Sequence, residues 1–285
     1  MEWWQAIILG VVQGLTEFLP ISSSGHLVIF PWLFDWETSE LSFDAALHLG
    51  TLVAVVVYFW RDIFKMLEAI PTALRDPWRI LRGETHTSRE RDARLGLLIA
   101  IATIPGAIAG ALLESRIDEI FHTEENSRTA IATIATMLIV VGIVMWIAER
   151  VGRRDHHVLG MKWVDALIIG FAQALALIPG TSRSGATITA GLFRGLERAD
   201  AARFSFLAGM PLILGAGLKS MLDVAQDGTG SSGLTVYLLG GVSAALVGFV
   251  TIWGLLQFLQ RNSTLVFTIY RIVFGLFLFL MLALR

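Results

Sequence analysis

The 285-residue chain has no cysteine. That excludes disulfides, thiolate nucleophiles and Cys-ligated metals, and it leaves the redox compartment unread. Charge is also scarce: 16% of residues are charged, against about 25% in soluble domains. The N-terminus lacks the basic region of a cleavable signal. Glu2 stands there instead, and Gln13 and Glu17 soon interrupt the apolar stretch that follows. The net charge of -2 points to no partner, and no nucleic-acid partner is expected. What the chain does have is apolar sequence: 55% of it is hydrophobic and the mean hydropathy is +0.67. Several runs reach about 20 residues, enough to cross a bilayer as a helix.

Two polar stretches interrupt this apolar background, and they echo each other. One runs from Gln13 through Glu17, Pro20 and Ser22-Ser23-Ser24-Gly25 to His26. The other runs from Gln173 through Pro179-Gly180-Thr181-Ser182-Arg183-Ser184-Gly185 to Thr187. With glutamine laid on glutamine, Ser24-Gly25 falls on Ser184-Gly185, Ser23 falls on Arg183, and Gly10 matches Gly170. Polar and ionisable groups at membrane depth are costly, so these stretches are where function is expected.

The apolar segments around both stretches are too short on either side of the break to span. Non-helical backbone at membrane depth is tolerated where protein buries it or a wet cavity receives it. Each is read as a re-entrant helix–loop–helix: about residues 3–33 with a turn at 20–24, and about 163–196 with a turn at 179–184. Six spans are expected near 42–60, 94–113, 129–148, 204–222, 234–258 and 265–284. Three crossings between the hairpins put them on opposite faces. The fold expected is thus an all-α polytopic membrane protein, six transmembrane helices plus two re-entrant units, in an inverted-topology repeat. It forms one integral membrane domain over 1–285, with repeats of about 1–148 and 160–285. Under this count the basic loops at 61–92, 149–162 and 194–203, with Arg261, share one side. The acidic loops at 35–40, 114–125 and 223–227 share the other. The positive-inside rule makes the basic side cytoplasmic, so the first hairpin opens outward and the N-terminus lies outside.

The Pro179–Gly185 turn, leading into a helix start, has the equipment of an anion site. It offers backbone N–H groups, the hydroxyls of Ser182 and Ser184, and the planar fork of Arg183. Thr187, one turn on, is placed with them, as are Ser22 and Ser24 of the first stretch; helix capping is the plain alternative for those two serines. Glu17 and Gln13 share a helix face, and their oxygens suit a divalent cation. Glu17 has alternative uses as a base, as a partner orienting a histidine, or as a plain ion pair with Arg183. His26 is read as proton carrier or nucleophile, and Ser23 as the hydroxyl best placed by the repeat. Asp44 and His48 share a face of the first span and Arg271 lies in the last; their part in the site is left open.

Gln-x-x-x-Glu, Pro-x-Ser-Ser-Ser-Gly-His and Pro-Gly-x-Ser-Arg-Ser-Gly-Ala-Thr together resemble the undecaprenyl-diphosphate phosphatase family of the bacitracin-resistance type. The resemblance extends to Phe43-Asp44, Phe204-Ser205-Phe206 and Tyr270-Arg271. It implies a membrane enzyme that releases the terminal phosphate of undecaprenyl diphosphate, a polyprenyl diphosphate lipid, and so recycles a carrier for peptidoglycan synthesis. It also implies dependence on Mg or Ca, a homodimer, and a site open to the outer face of the bacterial inner membrane. The family motif opens with Glu or Gln; here it is Gln13, which leaves Glu17 as the essential carboxylate. Tips meeting at the midplane are also transporter architecture, so a lipid-phosphate flippase is the alternative.

Overall fold

A computed structural model describes residues 1–36, 41–121, 127–227 and 233–284. Among these the chain is helical throughout, without a strand. The acidic-loop residues Glu37, Glu40, Glu124 and Glu125 lie outside the described residues.

Both broken hairpins form where the sequence breaks. Helix α1 (Trp3–Thr16) begins where the Glu2 N–H bonds the Gln5 side chain at 2.8 Å. Fourteen residues at 1.5 Å each give roughly 21 Å, short of the ~30 Å hydrocarbon layer. After the turn at 17–22, α2 (Ser23–Phe34) runs back. The second hairpin repeats this plan. Its first helix lies at Trp163–Ala174, opened by the Lys162 N–H on Asp165 at 2.7 Å, and is followed by a 3-10 turn at Leu175–Leu177. Its return helix is Arg183–Phe193. Ser22 and Ser182 cap the two return helices, with φ of 78° and 71°, and each hydroxyl accepts from the N–H of Gly25 or Gly185. A left-handed serine costs of order 1–3 kcal/mol, and here the same strain sits at the same place in both repeats.

The long helices frame these hairpins. In chain order α3 (Leu41–Tyr58) is followed, after a 74° bend, by α4 (Trp60–Glu68) and the short α5 (Ile70–Arg75) and α6 (Pro77–Leu81). Next come α7 (Ser88–Phe121) and α8 (Ser127–Val151), then the second hairpin as α9 and α10. Last are α11 (Arg198–Asp227), α12 (Gly233–Leu259) and α13 (Leu265–Leu284). Five of these are long and apolar enough to cross a membrane, and the bent α3–α4 pair makes up to six. Two expectations shift. The 61–92 segment is not a plain loop: α4, α5 and α6 occupy it. And α7 begins at Ser88, so the apolar run drawn from 94 carries an extra N-terminal turn and a half.

Depth within the bundle is set by close helix contacts. Helix α1 lies along α12 in the same direction. A Cβ on Gly10 would meet the Gly240 carbonyl oxygen at 2.4 Å, and one on Gly14 would meet the Ala244 oxygen at 2.8 Å. A Cβ on Gly248, midway along α12, would meet the ring of Phe18 at 2.9 Å. Thus α1 stops halfway along α12. In the same way α9 follows α7: a Cβ on Gly170 would meet the Ala102 oxygen at 2.6 Å, and Gln173 sits beside Gly106. Each hairpin therefore packs on a long helix of the other repeat.

The basic segments gather at one end, as expected. Arg203 bonds Asp62 at 2.7 Å, Arg94 donates to the carbonyls of Leu159 and Met161, and Glu149 takes Arg198 and Thr264.

Gly10→Ala is expected to force α1 off α12, since the obstacle is backbone. Overpacking of this kind costs about 1–3 kcal/mol. Gly254→Ala is the control. It is also helical in α12, but its added Cβ has nothing within 4 Å. Thermal unfolding in detergent should show a lower midpoint for the first and an equal or higher one for the second.

Candidate active site

Between mid-depth and the end away from the basic segments lies a cavity of about 360 Å³. Its polar lining comes from Glu17, Ser23, Ser24, Asp44, His48, Gln173, Ser182 and Arg183. Its apolar wall includes Leu27, Ile134, Leu212 and Ile213.

Glu17 is the hub. It follows α1, where the helix runs into Pro20, and its side chain is 4% exposed. Arg183, at the first position of α10, donates Nη2–H to Glu17 Oε1 at 2.8 Å. Ser23, at the first position of α2, donates its hydroxyl to Glu17 Oε2 at 2.6 Å. The repeat thus brings its paired positions, Ser23 and Arg183, onto the two oxygens of one carboxylate. The site is built on α11 too. A Cβ on Gly209 would stand 1.2 Å from Arg183 Nη1, so the guanidinium occupies space that only glycine leaves. Among the described residues Nη1 itself has only a 3.4 Å hydrogen bond to the Ser205 carbonyl. One edge of the fork is therefore tied to Glu17 and the other is weakly held.

His48 Nε2 stands 3.6 Å from Glu17 Oε2. Its Nδ1 lies 2.8 Å from the Asp44 carbonyl. A carbonyl only accepts, so Nδ1 carries a hydrogen, and in the neutral ring Nε2 is bare toward the cavity. At 3.6 Å Nε2 lies just beyond hydrogen-bond distance of the carboxylate.

The structure does not bring all the expected residues into the cavity. His26 is 2% exposed and turned away from Glu17. Its Nδ1 donates to the Ser22 carbonyl at 2.6 Å and its Nε2 pairs with the Tyr270 hydroxyl at 2.6 Å. The ring is stacked against Tyr270 and Phe274. Both nitrogens are spoken for, so the roles of proton carrier and nucleophile expected for it find no free atom. Thr187 bonds the Ser205 hydroxyl at 2.6 Å, and Ser184 donates to the Leu19 carbonyl at 3.1 Å, tying one hairpin to the other. Ser22 is fully buried in its capping role. These three shape the turns and do not face the cavity.

The Gln13–Glu17 pair does not fit a divalent cation as it stands. Gln13 Oε1 is buried without a partner among the described residues, as a spare ligand oxygen would be. But it is the amide nitrogen that faces Glu17, at 3.2 Å, and both carboxylate oxygens already accept other donors.

Arg271 is fully buried in α13 and reaches both turns. Its guanidinium donates to the carbonyls of Pro20 in the first turn and Gly180 and Thr181 in the second, each at 3.0 Å. It also donates to Leu138 and Met137 of α8, at 3.1 and 3.2 Å. Every one of these acceptors is a main-chain oxygen. The sequence flagged Arg271 as an intramembrane charge and as part of the Tyr270-Arg271 resemblance, but gave it no role. Gly209 carried no signal at all, since nothing local marks a glycine that makes room for a side chain from another helix.

The fold and the site together define a class: an α-helical, multi-pass membrane protein with a buried acid, hydroxyl and guanidinium converging from two interrupted hairpins. Comparison with known proteins agrees. The model of the family described as bacitracin resistance protein BacA matches residues 6–277, and the chain belongs to that family. Among its relatives, the undecaprenyl-diphosphatase of Thermomicrobium roseum is 46% identical, covering 99% of both chains. That of Moorella thermoacetica is 45% identical over 94% of both, and that of Desulforudis audaxviator 43% identical over 100% of both.

Proposed function

We propose that the chain hydrolyses undecaprenyl diphosphate to undecaprenyl phosphate and inorganic phosphate. The named relatives support the activity. One juxtaposition carries the mechanism: Ser23 Oγ at 2.6 Å from Glu17 Oε2, beside Arg183 at 2.8 Å from Glu17 Oε1. Ser23 Oγ attacks the terminal phosphorus while its proton passes to Glu17 Oε2. The bond from that phosphorus to the bridging oxygen breaks, and the lipid monophosphate leaves with the proton. A water then attacks the phosphoserine, giving its proton to Glu17, which returns one to Ser23. The weakly held edge of Arg183 binds the phosphoryl oxygens, where fixed positive charge is worth most. Ser24 and Ser182 line the same space as further donors. The cavity holds a diphosphate head; the long polyprenyl tail stays in the surrounding lipid.

Mg or Ca is proposed to arrive on oxygens of the substrate and not to sit between Gln13 and Glu17. Replacing Gln13 by Met then leaves the metal dependence of turnover unchanged; its loss would return the cation to that pair. The broken hairpins are read as re-entrant units. The basic end is read as cytoplasmic, which opens the cavity to the outer face of the bacterial inner membrane. There the reaction would regenerate the carrier for peptidoglycan synthesis and relieve bacitracin. A homodimer belongs to the same proposal and is checked by light scattering in detergent. The flippase alternative draws no support from the relatives.

The direct test is phosphate release from undecaprenyl diphosphate by the purified protein, followed by acid quench and mass spectrometry. Phosphate on Ser23 is the expected result. No release refutes the activity; release with no phosphoserine gives the attack to water. His48→Gln is expected to lower kcat roughly 100-fold with KM little changed, the low end of what one proton-handling group contributes.

A further inference from the structure

Beyond the catalytic cavity, the segment from Trp60 to Arg82 has a face that none of the described residues covers. Three short helices there share one exposed apolar stripe: Trp60, Phe64, Leu67, Ile70, Leu74 and Trp78. Their exposures run from 47% at Ile70 to 75% at Leu74. The opposite face is firmly placed, since Ala69, Ala73 and Ile80 pack with Ala93 of α7. The 74° bend after Tyr58 turns this segment away from the direction of the preceding span, at the basic end of the molecule.

Charge flanks the stripe. Arg61, Lys65, Arg75 and Arg82 are exposed and make no ion pair with another described residue. Arg61 lies over the Trp60 ring, 5.3 Å from its centre. The nearby acids are mostly committed: Asp62 to Arg203, and Asp76 and Glu90 to Arg79. Arg79 and the N–H groups of His86 and Thr87 all donate to the Glu90 carboxylate, so its charge is already matched. Glu68 and Glu84 remain exposed, which leaves positive charge in excess. Aromatic residues at the edge of an apolar stripe, with Lys and Arg beside them, are the pattern of a helix lying in a membrane interface.

We infer that residues 60–82 lie in the plane of the basic-side leaflet and that Arg61, Lys65, Arg75 and Arg82 gather anionic phospholipid headgroups around the protein. Lys and Arg at a membrane surface attract anionic headgroups electrostatically, so the preference should be readable. This surface is separate from the catalytic residues, and its test does not depend on turnover.

The absence of cysteine makes the experiment simple. A single Leu74→Cys or Leu67→Cys substitution carries an environment-sensitive fluorophore, and the full chain is reconstituted in vesicles of phosphatidylcholine with phosphatidylglycerol. Brominated forms of each lipid are exchanged in turn. Expected is strong quenching from both positions, with brominated phosphatidylglycerol favoured at least threefold at low salt. The preference should fall toward one at high salt, because exposed charges are screened. In the combined R61Q/K65Q/R75Q/R82Q variant the preference should be lost at every salt concentration, while phosphate release per molecule is unchanged. Absence of quenching at both positions would overturn the interfacial placement. Equal quenching by the two lipids, or a preference that survives in the quadruple variant, would overturn the headgroup assignment.

Discussion

Glu17→Gln is expected to lower kcat/KM by about a thousand-fold, roughly 4 kcal/mol at 1.36 kcal/mol per factor of ten. Two losses combine in that figure. The amide cannot take the Ser23 proton, which by itself is worth about 10²–10⁴. It also leaves Arg183 without its charge partner in a site that is 13% exposed on the arginine side and 4% on the acid side. Arg183→Gln should cost a similar amount, through lost stabilisation of the phosphoryl oxygens. The two changes should not add, because both groups act on one reacting phosphorus. In the double variant kcat/KM should fall little below the worse single, with an interaction term of at least 2 kcal/mol. Additive losses, near a million-fold, would mean that the pair seen at 2.8 Å does not work as a unit. Removing one member of a buried pair also destabilises the fold, by about 3–5 kcal/mol. Thermal midpoints measured alongside keep the two effects apart, and the double variant should unfold later than either single.

The hairpins were legible in the sequence because their signal is local. Pro20 and Pro179 break apolar runs, and the Ser-x-Ser-Gly pattern caps the return helices, so each turn announces itself within about eight residues. Ser23 and Arg183 were paired by alignment of the two stretches, and they meet on one carboxylate. The surroundings of His26 were not legible for a related reason. Its neighbours in the sequence are serines, but its neighbours in space are Tyr270 and Phe274, some 250 positions away, and they take up the ring. His48 shows the converse. Its i−4 bond to the Asp44 carbonyl is ordinary helical geometry, yet the crossing of α3 past the first turn carries Nε2 to the Glu17 carboxylate. The helices between Trp60 and Leu81 were hidden by their charge, because an amphipathic segment at a membrane surface has the composition of a loop.

Arg271→Met is expected to lower the thermal midpoint by roughly 6–12 °C in detergent and to take most of the activity with it. Among the described residues the arginine is the one side chain that bonds to carbonyls of both turns at once, through Pro20 on one side and Gly180 and Thr181 on the other. Methionine fills a similar volume but donates nothing, so those buried carbonyls lose their partners. Each unsatisfied group costs about 1–3 kcal/mol; even with relaxation a total near 3 kcal/mol remains, and 1 kcal/mol moves a midpoint by about 2–4 °C in a domain of 150–250 residues. Arg271→Lys should be intermediate, because an ammonium is a point charge and cannot span acceptors that a planar guanidinium reaches from opposite edges. The kinetic signature separates positioning from mere stability. Assayed well below its own midpoint, the lysine variant should keep KM within a few fold and lose kcat, since the turns still form but Ser23 and Arg183 no longer hold their spacing across Glu17. A midpoint within 2 °C of the parent for the methionine variant would mean the two turns are held together by the hairpin contacts alone, among them Ser184 on the Leu19 carbonyl, and that the buried guanidinium is dispensable.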